Sequence, residues 1–168
     1  MQTKYEVIHG GLGSGKSTYA LKIIDINTTF KLGVGGPFLD ILTFKFGGMR
    51  IHEEENRRLN LRFKRTNLSS IVEDVTGVKD STLFIDEWTT LFQYSKLWSE
   101  DRISRKIEDI FNAIDKNPAL QRAIFISSSY NPYKPFRLYK RKAIWNKMLF
   151  KKADEVTLIE YGIALKLK

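Results

Sequence analysis

Gly10, Gly15, Lys16 and Ser17 stand at the spacing G-x-x-x-x-G-K-S, and far downstream an apolar run ends in the adjacent carboxylates of Asp86 and Glu87. The first group has the chemistry to hold a chain of phosphates. Gly13 and Gly15 let the backbone wrap closely around an anion because no Cβ intrudes, and the amides of residues 13–18, at the start of a following helix, turn their partial positive charge toward it. Lys16 offers an ammonium to the β- and γ-phosphates, Ser17 a hydroxyl to a magnesium ion, and Thr18 faces the α-phosphate. The candidate nucleotide-binding residues are therefore Gly11, Leu12, Gly13, Ser14, Gly15, Lys16, Ser17 and Thr18. With glycine at roughly 7% of residues, the four constrained positions arise by accident in on the order of one chain in two hundred of this length. Asp86 would hold magnesium through water, and Glu87 is placed to polarise an attacking water as general base.

Such a loop needs a strand in front of it and a helix behind it. Lys4 to His9 supplies a short buried strand ending at glycine, and Lys16 to Asp25 carries Ala20, Leu21, Ile23 and Ile24 among good helix formers. Ser81 to Glu87 reads as a continuous apolar strand ending in the two carboxylates, expected beside the first so that Asp86 emerges next to the phosphates. The clearest helix begins at the cap Ser99, carries Glu100 and Asp101 at its positive end, and puts Ile103, Ile107, Ile110, Phe111 and Ile114 on one face before Asn117-Pro118 stops it. Arg122 to Ile126 is another buried strand, opening into Ser127, Ser128 and Ser129. Elsewhere the pattern is weaker. Residues 31–48 are glycine-rich and read as loop, a short strand at Thr43–Phe46, and turn. Leu59 to Lys64 alternates as a half-exposed strand, and Asn67–Ser70 caps a short helix, Ile71 to Val75, that Gly77 ends. Strands alternating with helices predict an α/β fold with a mostly parallel central sheet covered on both sides, joined by right-handed crossovers.

The 168 residues need only one core, so one domain is expected over 1–168, with a basic segment at 133–152 and a terminal strand pair at 155–167 around Gly162. The chain has no cysteine, which excludes disulfides and thiolate metal sites and is compatible with a reducing, cytoplasmic home. No window approaches the roughly 18 apolar residues of a membrane span. Net charge is +9, which favours an anionic partner. The excess is uneven: between Lys134 and Lys152 there are eight basic residues and no acidic one. Tyr133, Phe136, Tyr139 and Trp145 interleave with Lys134, Arg137, Lys140, Arg141 and Lys142, a pattern suited to phosphate contacts with base or sugar packing. A packed helix would produce the same alternation.

The Lys-Ser loop, the Ile85-Asp86-Glu87 strand end and the serines after Ile126 resemble the additional-strand, catalytic-glutamate division of P-loop ATPases. Within it, the short chain and the Ile-Asp-Glu-Trp strand end look like the FtsK/HerA-type superfamily, which includes viral genome-packaging ATPases and zonula occludens toxin-like phage assembly proteins. That resemblance implies a RecA/FtsK-like core, hydrolysis of ATP with magnesium, a catalytic set of Lys16, Glu87 and a polar sensor at Ser128, and metal held by Ser17 and Asp86. It further implies a homo-oligomer, commonly a ring in such ATPases, in which one subunit offers an arginine to its neighbour; Arg102, Arg105, Arg122, Arg137 and Arg141 are candidates. The first expectation is a motor that translocates or packages DNA. Two others stay open: a nucleotide-dependent phage assembly protein with a protein partner, and a nucleoside or nucleotide kinase, against which the missing zinc-lobe cysteines count. His9 is expected to be structural, and Trp88, beside Glu87, to pack or to stack near the nucleotide.

Overall fold

The computed structural model describes residues 2–11, 13–34, 56–91, 98–128 and 136–168, the side chains of 136–142 excepted. Among the described residues seven strands form one sheet: β1 (Lys4–Gly10), β2 (Thr29–Val34), β3 (Arg62–Thr66), β4 (Thr82–Asp86), β5 (Arg122–Ser128), β6 (Glu155–Glu160) and β7 (Ile163–Lys166). Their order is β3-β2-β4-β5-β1-β6-β7, and every pair is parallel except β6 with β7. The helices are α1 (Lys16–Ile23), α2 (Ile71–Thr76), α3 (Trp88–Leu91), α4 (Glu100–Lys116) and α5 (Phe136–Lys152). This is an α/β architecture with helices on both faces of a mostly parallel sheet.

Alternation along the central strands divides the core in two. Tyr5 and Val7 of β1, Leu83 and Ile85 of β4, and Ala123 and Phe125 of β5 face the layer of α2, α3, α4 and α5. Ile8, Phe84, Ile124 and Ile126 face the other way, against Ala20 of α1. The stripe of α4 inserts Ile103, Ile107, Ile110 and Ile114, all fully buried, and the Ser99 hydroxyl caps the helix by accepting from the Arg102 amide at 3.3 Å. Asn117 then staples the layer, donating from Nδ2 to the carbonyls of Val75 and Val78 at 2.9 and 3.0 Å.

Three expectations need correction. The Asp-Glu strand is not beside the first: β5 lies between β4 and β1. The segment from Lys31 does not begin as loop, because β2 runs through it; its alternation was obscured by a lysine that points inward, Lys31, and by Gly33. The half-exposed strand begins later than its pattern suggests, at Arg62, since Asn60 takes a left-handed turn with φ of 52° and a helical turn precedes it. Of the two readings of the basic segment, the packed helix is the one observed: it is largely helix α5, and its Trp145 is completely buried in the core. The terminal pair is an antiparallel hairpin as expected. The strand expected at Thr43–Phe46 lies outside the described residues.

Candidate functional site

Parallel strands bring their C-terminal ends to one edge of the sheet, and the residues with chemistry sit there. Gly10, the last residue of β1, lies in register with Ser128 of β5 on one side and Ile159 of β6 on the other. The loop that follows turns on Gly13 and Gly15, with φ of 73° and 93°, and Gly15 caps α1. Both conformations belong to the left-handed region that glycine enters without a Cβ penalty. Gly10 is constrained differently: a Cβ there would sit 2.3 Å from the Ile159 carbonyl oxygen and 2.7 Å from the Ser14 hydroxyl.

Lys16 is buried, and its Nζ donates to the Gly11 carbonyl at 2.6 Å, folding the ammonium over its own loop. Burial lowers its pKa, while the charges of Glu87 and Asp86 pull the other way. The loop lysine and the acidic doublet thus share one electrostatic neighbourhood. Ser17 is half-buried and Thr18 exposed. Ser14 accepts from Gly162 through its carbonyl, but its hydroxyl is buried without a hydrogen-bond partner. An orphaned hydroxyl and a buried ammonium in one glycine loop fit a polyphosphate. Leu12 lies outside the described residues.

Glu87 follows β4 with φ of 65°, an uncommon conformation for a residue with a long side chain. Both its carboxylate oxygens are held: Oε1 accepts from the Ser128 hydroxyl at 2.6 Å and Oε2 from Thr89 Oγ1 at 3.1 Å. Ser128 therefore reaches the acidic residue directly. Thr89 escaped the sequence reading; its position two residues after Glu87, in the first turn of α3, was the available signal.

Asp86 is the less expected case. Its Oδ2 is paired with Lys31 Nζ at 2.8 Å, and both side chains are largely shielded from water. Lys31 also donates to Asn56 Oδ1 at 3.2 Å and lies over the Phe84 ring, 5.3 Å from its centroid. No group of three or more His, Cys, Asp or Glu side chains able to hold a metal occurs among the described residues. One carboxylate with a spoken-for oxygen and one hydroxyl, Ser17, make a sparse donor set, which suits a magnesium ion carried in mainly by phosphate oxygens and water.

Behind the loop, His9 Nδ1 lies 3.2 Å from Ser127 Oγ, which donates to Asn146 Oδ1 of α5 at 2.9 Å. Burial depresses the His9 pKa, the Lys16 charge adds to that, and Ser127 opposes it. His9 is thus hydrogen-bonded within the fold, with its protonated form disfavoured. Trp88 does not face a nucleotide: it is fully buried, stacked on Phe111 and edge-on to Phe125. Arg122 is held at the opposite end of β5, where its Nε and Nη2 engage the two Glu6 oxygens at 2.8 and 2.6 Å and Nη1 donates to the Ile23 carbonyl. Such a committed guanidinium is unsuited to a neighbour's phosphate. Arg102, stacked over Trp98, and Arg105 are exposed on α4.

Arg137, Lys140, Arg141 and Lys142 fall on helix α5, while Lys134, Tyr133 and Ser129 lie outside the described residues. Lys152 is engaged with Asp115 at 2.7 Å. Among the described residues no helix is long and apolar enough to cross a membrane. No family model matches this chain, and no curated protein matches it.

Proposed function

We propose that the chain is a P-loop ATPase of the additional-strand, catalytic-glutamate type, coupling nucleotide hydrolysis to work on nucleic acid, most concretely DNA translocation or packaging. The observation that carries this is Glu87: a carboxylate held by Ser128 across from the first residue of the glycine loop, within electrostatic reach of Lys16. The intervening strand β5 supports the division, since it separates the loop strand from the acidic strand.

Lys16 exchanges the Gly11 carbonyl for phosphate oxygens, which turns an internal tether into a ligand contact. Glu87 accepts a proton from a water whose oxygen attacks the γ-phosphorus; the bond to the β-phosphate oxygen breaks, and that oxygen leaves on the nucleoside diphosphate. Ser128 and Thr89 fix the carboxylate while it acts. Ser17 and Asp86 would hold magnesium, which supplies charge neutralisation on the phosphates. The nucleic-acid partner rests on the +9 net charge and the basic run ending in α5.

ATP hydrolysis with and without duplex DNA tests the reading in the parent, Lys16→Ala and Glu87→Gln. Lys16→Ala is expected to weaken nucleotide binding at least tenfold. Glu87→Gln should bind normally and lose roughly 100-fold or more in turnover. Equal turnover in parent and Glu87→Gln removes the general base. A rate indifferent to DNA at low salt removes the nucleic-acid motor and moves the partner to a protein.

A further inference from the structure

The β6–β7 hairpin turns through two residues, Tyr161 and Gly162, with φ of 50° and 79°. Positive φ at both positions is what a type I′ hairpin turn requires, and its preferred occupants are Asn-Gly or Asp-Gly. A tyrosine there accepts an unfavourable backbone conformation. It recovers nothing from packing, because Tyr161 is 97% exposed. A large aromatic kept in a strained turn and in water is a local conflict of the kind that marks a functional position.

The turn is also pinned to the glycine loop. Gly162 N–H donates to the Ser14 carbonyl at 3.1 Å, and a Cβ on Gly15 would lie 3.7 Å from Gly162 Cα. Two residues further back along β6, the Ile159 carbonyl closes on Gly10. Tyr161 is therefore carried by a rigid support at the rim of the same loop. Its ring offers a π-face to any planar group attached to the polyphosphate, and such stacking needs no particular hydrogen-bond pattern.

We propose that Tyr161 is the stacking face for the base of the bound nucleotide, so that the site takes nucleoside triphosphates in preference to bare polyphosphate. This rests on the phosphate-binding reading of the loop. The test is calorimetric titration of the full chain with magnesium ATP and with magnesium tripolyphosphate, in the parent, Tyr161→Asn and Tyr161→Phe. Tyr161→Asn installs the Asn-Gly pair that the turn prefers, so its melting temperature should equal or exceed the parent's. It should bind ATP about tenfold more weakly and tripolyphosphate within twofold of the parent. Tyr161→Phe should match the parent for both ligands. Unchanged ATP affinity in Tyr161→Asn overturns the proposal, as does an equal loss for both ligands, which would make the turn a mere buttress of the loop. A parent that binds tripolyphosphate as tightly as ATP overturns it while leaving the phosphate cradle standing; a parent that binds neither overturns both.

Discussion

Asp86→Asn removes a negative charge whose partner, the Lys31 side chain, is only 4% exposed. At 2.8 Å and an effective dielectric of about 20, the gross attraction in this pair is about 6 kcal/mol. Desolvation of both groups consumes most of that, so the intact pair contributes little net stability, yet a buried charge left alone costs about 3–5 kcal/mol. Lys31 would retain the Asn56 carbonyl oxygen and the Phe84 ring, which places the expected cost of Asp86→Asn near the lower end, about 3 kcal/mol. For a chain of this length that corresponds to a fall of about 6–12 °C in Tm. Lys31→Met should cost less, since the Asp86 carboxylate has more access to water. The double variant Lys31→Met/Asp86→Asn should recover to within about 1 kcal/mol of the parent, because neither side chain is then charged. Urea unfolding followed by tryptophan fluorescence reads all four proteins, as Trp88 and Trp145 are fully buried. A double variant no more stable than Asp86→Asn would refute the pairing argument. The recovered double variant should still fail to hydrolyse ATP, which separates the carboxylate's place in the fold from its place in the reaction.

Ser128→Ala frees Glu87 Oε1 while Thr89 still holds Oε2, so steady-state kinetics should show turnover falling about tenfold with nucleotide affinity unchanged. Gly10→Ala pushes a methyl group into the Ile159 carbonyl and should destabilise the chain by about 2–3 kcal/mol in urea titrations. His9 has a pKa depressed below its ordinary 6.5, so the unfolded chain takes up this proton more readily than the folded one. Stability from this residue is complete above pH 6.5 and declines as the pH falls below it; melting temperatures measured between pH 7.5 and 5.5 should fall less steeply in His9→Gln than in the parent.

The parts of the fold legible in the sequence are those where a single pattern governs: the glycine loop, the period-3.6 stripe of α4, and the apolar runs of β4 and β5. What escaped notice depends on partners distant in the chain. β2 was hidden because Lys31 occupies an inward position, tolerable only with Asp86 as its ion-pair partner, and no local rule anticipates that pair. The placement of β5 between β1 and β4 is likewise a matter of pairing across the sheet, invisible to periodicity. In the candidate site, Lys16, Asp86, Glu87 and Ser128 were nameable from residue type and position, whereas the Thr89 contact and the docking of Gly162 on Ser14 required coordinates.

The insertion of β5 has a dimensional consequence. With one strand between them, the loop strand and the acidic strand are separated by two inter-strand spacings, about 10 Å. That backbone-to-backbone breadth is set by the hydrogen-bond ladder and not by any side chain, so substitutions on the rim can narrow or line the space between the strands but not move the strands apart. Resizing the gap would require rebuilding the sheet itself.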